Sequence, residues 1–210
     1  MKSPQFSTWI KETTFSSWGG YYQSQGLIYK DQSSNDCGPT CVAMVLNIFS
    51  SFNGSDREIG KNQIIQQIHS HFWERIPGWV PSIGGATSPW GVVDAFNHSA
   101  AQLGLNACAT RLSHAKWDAI SSNLEQGNLV SPLRFWQTGG GHWSLLIGIS
   151  TDKRSIFLLD PNPFLAQLSP IQKVQIINRA QFIEDWSRQP SWEKLLNIKN
   201  ELVIFFATDK

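Results

Sequence analysis

An α+β fold, helices in the first part of the chain and a mostly antiparallel sheet in the second, is what this sequence predicts. Two observations carry it. Apolar residues recur at helical spacing in segments up to Gly127, and beyond that point they condense into short strand-like runs. Helices grouped before strands, rather than alternating with them, point away from a parallel βαβ sheet.

The bulk composition agrees with one packed unit. A chain of 210 residues with 41% hydrophobic and 16% charged residues can bury a large core and is neither disordered nor a coiled coil. Residues 1–26 are polar with scattered aromatics and follow neither period, so they read as an arm laid over a domain formed by residues 27–210. Seventeen basic residues against 16 acidic ones give a net charge of +1, with no Lys/Arg cluster. That argues against a nucleic-acid partner. Three cysteines, Cys37, Cys41 and Cys108, are too few and odd in number for a disulfide framework. A reducing compartment follows as the expectation. The opening residues lack the apolar stretch of a signal peptide, and no segment reaches the roughly 18 apolar residues of a membrane span. The expected location is cytoplasmic, with delivery into another cell as an effector left open. Nothing bears on oligomeric state. Ten tryptophans are unusual for this length, and each needs a partner for its N–H or a half-wet interface.

After a short extended piece, LIYK, the first helix starts at or just after Cys37, because Val42, Val45, Leu46 and Phe49 share a helical stripe and Pro39 suits a first turn. Ala43 and Met44 widen the stripe, so this helix is buried on several sides and central. A second helix is expected over 61–73 through Ile64, Ile65, Ile68 and Phe72, ended by Pro77. A third starts near Pro89, turns Val92, Val93 and Phe96 inward and ends near Gly104. A fourth runs from Ser113 as N-cap through Trp117, Ile120 and Leu124 to Gly127. The strand-like runs are NLVSPLRFW, HWSLLIGI, SIFLLD, QKVQII and ELVIFFA, with one short helix at Ala180–Trp186.

The chemistry starts at Cys37. A helix N-terminus offers partial positive charge and free N–H groups, which favour a thiolate. Gly38 leaves room for an approaching carbonyl, and the Cys37 N–H can donate to the oxygen of a tetrahedral intermediate. A buried structural cysteine is the alternative, and the surroundings must decide. His142 follows three glycines and opens one strand; Asp160 closes the next, before Pro161. The polar turn STDKR lies between, and the midpoint of the pair falls inside it at residue 151. A hairpin centred there opposes His142 and Asp160 across the ladder, so the carboxylate can hold one imidazole nitrogen while the other faces a thiol.

The stretches DCGPTCVAMVL, GGATSPWGVVDAFNHSAAQLGL and GHWSLLIGI…IFLLDPNP resemble, in order, the cysteine, middle and histidine/aspartate blocks of C39-like peptidases in the papain-like superfamily. The resemblance runs from Tyr29 to Pro163. It implies a papain-like fold, in which the helix bearing the catalytic cysteine packs on the sheet, and a triad landing on Cys37, His142 and Asp160. It also implies an oxyanion donor upstream of the cysteine, for which Gln32 stands, five residues before Cys37 where the family has six or more. Relatives fused to export ATPases cut leader peptides, but none of those attached domains is present in this sequence.

The resemblance therefore implies a cysteine peptidase cleaving a peptide or isopeptide bond, with a polypeptide as substrate partner and no cofactor. A thiol deamidase or a transglutaminase-type acyltransferase would use the same residues. A non-catalytic peptide-binding module would be expected to have lost the nucleophile or the base, and both are retained. A metal site from Cys37, Cys41, His69 and His71 would need two helices to converge and leaves His142 and Asp160 unexplained, so no metal is expected. Cys41 reads as a small core residue, and His98 and His114 as solvated. The three glycines before His142 lead into a strand and lack a following Lys-Ser/Thr, so they form no phosphate loop. They are expected to give substrate access to the histidine. Trp143 either shields the imidazole or packs in the sheet.

Overall fold

The computed structural model describes residues 36–53, 59–68, 75, 86–137, 140–150, 152–161, 174–189 and 197–208. The arm, the LIYK segment, Gln32, His69, His71 and Phe72 lie outside them. In chain order the elements are α1 (Cys37–Phe52), α2 (Lys61–Gln67), α3 (Pro89–Gln102), β1 (Ala107–Leu112), α4 (Trp117–Glu125), β2 (Leu129–Phe135), β3 (Gly141–Trp143), β4 (Leu145–Ile149), β5 (Ser155–Leu159), β6 (Val174–Asn178), α5 (Arg179–Ser187) and β7 (Leu202–Ala207). The fold is α+β, with a seven-stranded sheet in the order β1-β7-β2-β4-β5-β6 and β3 paired to β2. Every described strand pair is antiparallel.

Helix α1 lies at the centre: every residue from Asp36 to Ser50 is buried. Its start is fixed by the Asp36 carbonyl, which accepts from Thr40 N at 2.9 Å and Thr40 Oγ1 at 2.7 Å. Its far half is tied down by Asn47, whose amide donates to Ile59 O and accepts from Ile59 N, each at 2.8 Å. Rings carry the packing outward from α1 through α3 to β7: Phe49 meets Phe96 at 5.9 Å and Phe96 meets Phe205 at 4.9 Å, both edge to face. Burying a ring of this kind contributes about 1.5–3 kcal/mol.

Two expectations about helices need correction. Ser113 does not cap α4; its Oγ donates to Glu201 at 2.6 Å, joining a bidentate Arg111–Glu201 pair with both contacts at 2.7 Å. The helix starts later, with Lys116 at the cap position, because the backbone N–H groups of His114 and Ala115 are taken by Lys199 O and Asn200 O. The first 127 residues are also not wholly helical. Strand β1, ACATRL, carries small and charged residues of low strand propensity, and forms because β7 pairs with it along its whole length.

The run HWSLLIGI is two strands rather than one. Val130 pairs Leu146 and Leu133 pairs Trp143, so a single register sets Ser144 opposite Pro132. Proline has no N–H to give, and the ladder breaks there. Ser131 Oγ spans the gap by donating to Ser144 O at 2.8 Å. Among the described residues, no helix is long and apolar enough to cross a membrane.

Candidate active site

Two strands and one helix bring Cys37, His142 and Asp160 together. Cys37 is the first residue of α1, where N–H groups lack intrahelical acceptors. His142 lies in the middle of β3, and Asp160 follows β5. The His142 Nε2 and Asp160 Oδ1 are 2.6 Å apart, and both side chains are buried. With Nε2 so engaged, Nδ1 is the ring nitrogen left to face a thiol, and the Cys37 side chain is near enough to favour the charged ring.

The pair does not meet by direct opposition across a hairpin. Leu145 pairs Leu159, which sets Asp160 opposite Ser144, two residues along from His142. The turn is centred later than residue 151: Ser150 N donates to Ser155 O at 2.9 Å, and Asp152 accepts from Ser150 Oγ at 2.6 Å and from Arg154 N at 3.1 Å. A bulge between Leu146 and Gly148 then takes up one residue of the shift. A two-residue offset keeps both side chains on one face, so Asp160 reaches His142 diagonally.

The residue directly opposite His142 in the ladder is Arg134, on β2. Its guanidinium donates to Asp160 Oδ2 at 3.1 Å and is 2% exposed. Two positions on, Trp136 stacks on the His142 ring with centroids 5.2 Å apart and planes 29° apart. Neither residue was singled out from sequence. The signal was an arginine inside the apolar run NLVSPLRFW, since a buried arginine requires an anionic partner. Trp143, beside His142, is anchored away from the ring by its indole N–H, which donates to Thr87 O at 2.9 Å.

Electrostatics separate the two cysteines of α1. Burial pushes the Cys41 thiol well above its ordinary value, and the negative charge of Cys37 and Asp160 adds to this. Cys41 is therefore a protonated core residue. For His142, burial opposes the charged form, but hydrogen bonds to Asp160 and Cys37 and the charges on both outweigh it, raising the pKa to about 9. That value lies above the ~6.5 of an unfolded histidine, so the charged ring stabilises the fold fully below about pH 6.5, and the contribution is lost as pH rises through 9. The contribution is on the order of 3 kcal/mol. Urea unfolding of wild type and His142→Gln should show the wild-type advantage shrinking by about that amount between pH 6 and pH 10. A constant difference would contradict it.

Packing also requires glycine at positions near the site. A Cβ at Gly38 would lie 2.8 Å from Thr87 Cβ, so the glycine lets the segment before α3 close against the start of α1. Thr87 is itself held through its carbonyl by Trp143. Gly38→Ala should therefore destabilise by about 1–3 kcal/mol in equilibrium denaturation, and a loss below about 0.5 kcal/mol would mean that Thr87 gives way. At Gly141 an added Cβ would meet Phe135 Cε1 at 2.9 Å, and Gly140, at φ +89°, accepts from Trp136 N at 3.2 Å. Both glycines thus build the β2–β3 hairpin, and Gly141 is exposed beside the buried His142. Among the described residues, no group of three or more His, Cys, Asp or Glu side chains is arranged to hold a metal.

A family model described as the Peptidase_C39 like family matches residues 20–191. The chain belongs to that family. Solved C39-like structures share its fold. A protein from Bacillus anthracis described as a C39-like peptidase matches with TM-score 0.56 and 15% identity, over 89% of this chain and 97% of the other. The peptidase domain of Streptococcus ComA, a bifunctional ABC transporter involved in quorum sensing, matches with TM-score 0.53 and 14% identity, over 86% and 97%. At these identities the likeness establishes the fold alone. No curated protein matches the chain. Family membership makes this C39-like chain a cysteine peptidase at the level of the family.

Proposed function

We propose that this protein cleaves a peptide or isopeptide bond in a polypeptide, with Cys37 as nucleophile, His142 as base and Asp160 as the group that orients the histidine. The observation that carries the proposal is the buried Asp160–His142 pair at 2.6 Å, whose ring charge is further supported by the Cys37 side chain at the start of α1. With its raised pKa, His142 already holds the proton taken from Cys37, and the thiolate attacks the substrate carbonyl. The backbone N–H of Cys37 stabilises the oxyanion, with the Gln32 side-chain amide proposed as a second donor. The tetrahedral intermediate collapses as His142 returns the proton to the leaving amine. Water, activated by the same imidazole, then releases the acyl group from sulfur.

The test pairs a thiol probe with intact mass. Cys37-dependent labelling is expected, together with fragments of a candidate polypeptide that are absent with Cys37→Ala. Mass changes of about +1 Da at glutamine, or an amine adduct, would instead reveal deamidation or acyl transfer by the same residues. Absence of Cys37 labelling, alongside ready labelling of an authentic cysteine hydrolase, would exclude all three reactions.

A further inference from the structure

We propose that Arg134 is a positioning residue for this site: it holds the Asp160 oxygen that His142 does not use, and so fixes the ring toward Cys37. The inference rests on the roles proposed above for Cys37 and His142. Three features distinguish it from simple neutralisation of a buried carboxylate. Arg134 occupies the same rung of the ladder as His142, so one backbone pairing sets both side chains on the same face. The two contacts on Asp160 are divided by oxygen, Oδ1 to His142 at 2.6 Å and Oδ2 to Arg134 at 3.1 Å, which orients the carboxylate about its own axis. The Arg134 guanidinium also lies 5.6 Å from the centre of the Trp136 ring, and that ring covers His142. Arg134 of β2 and Trp136, just past its end, thus bracket the imidazole, one through its carboxylate and one on its face.

The arrangement is poorly explained by stability alone. Burial works against the guanidinium charge, and the Nε of Arg134 is buried with no hydrogen-bond partner among the described residues. A well-packed apolar pair in place of Arg134 and Asp160 would fold at least as well. Charged groups that act on the pair include His142, Cys41 and Asp185. Without Arg134 the carboxylate loses the contact on Oδ2 that helps to keep Oδ1 on the ring, which weakens the bond that raises the His142 pKa.

The test compares full-length wild type with Arg134→Met, Arg134→Lys, Asp160→Asn and the double variant Asp160→Asn/Arg134→Met. NMR titration of the His142 ring and iodoacetamide alkylation of Cys37 are the readouts, with the thermal midpoint alongside. Arg134→Met should lower the His142 midpoint by about one unit or more and slow alkylation about tenfold. Arg134→Lys should recover most of both. The double variant should alkylate no more slowly than Asp160→Asn alone, because Arg134 acts through Asp160. A lowered thermal midpoint with unchanged titration and alkylation would overturn the proposal, as would an unchanged or raised His142 midpoint, or additive effects in the double variant. Should Arg134→Met not fold, the lysine variant and the charge-free double variant carry the comparison. Failure of the peptidase reading would appear as absence of turnover in wild type, and the His142 titration would still decide the role of Arg134.

Discussion

Replacing Cys37 with alanine is expected to reduce turnover by about 10⁴-fold or more while shifting stability by no more than about 1 kcal/mol. Cys41→Ala, one helical turn further on, is expected to keep turnover within about tenfold and to cost about 1 kcal/mol through the small cavity it leaves. The contrast follows from position. Cys37 heads α1 and its side chain favours the charged form of His142, whereas Cys41 is fully buried and its thiol is held protonated by desolvation and by the nearby charges. Steady-state hydrolysis and circular dichroism of the two variants check this. Equal loss of activity in both, with the fold retained, would mean that the wrong thiol has been given the chemistry.

Asp160→Ala should have the largest effect on stability. It leaves Arg134 with a 2% exposed side chain and without the carboxylate it donates to, and stranding one member of a buried ion pair costs about 3–5 kcal/mol. For a chain of this size that corresponds to a fall of roughly 6–20 °C in Tm. It also removes the group that orients His142, so kcat should fall about 10²-fold or more even at temperatures where the variant is folded. Asp160→Asn keeps the shape and should recover much of the Tm but little of kcat. Calorimetry and initial rates on both variants separate the two effects, and a Tm within about 2 °C of wild type for Asp160→Ala would show that the guanidinium finds another partner or water.

What could be read from the sequence was local, and what could not was set by pairing between distant strands. The start of α1 at Cys37 followed from a stripe of apolar residues and an early proline. The shared face of His142 and Asp160 followed from two strands joined by a polar turn. Their diagonal relation did not, because it depends on a turn closed by Ser150 and Ser155 and on a bulge before Gly148. Arg134 and Trp136 stayed out of view for a related reason: nothing in the sequence says that β2 is the strand beside His142. Pro132 could have warned that the ladder opposite it would break, but only once Ser144 was known to face it. Gly38 has a second reason to be glycine that the sequence could not give, since its neighbour Thr87 comes from a segment about fifty residues away.

The place of β7 bears on how the molecule comes to be. Residues 202–207 pair with β1 on one side and β2 on the other, so a late segment of the chain fills the middle of the sheet. Until it arrives, β1 and the first half of β2 each present an unsatisfied edge. Loop closure over such long separations slows folding and leaves sticky strands waiting. Helix α1 is synthesised early, yet among the described strands the one that joins β1 to β2 is made last, so the two parts of the sheet stay unlinked until residues 202–207 are available.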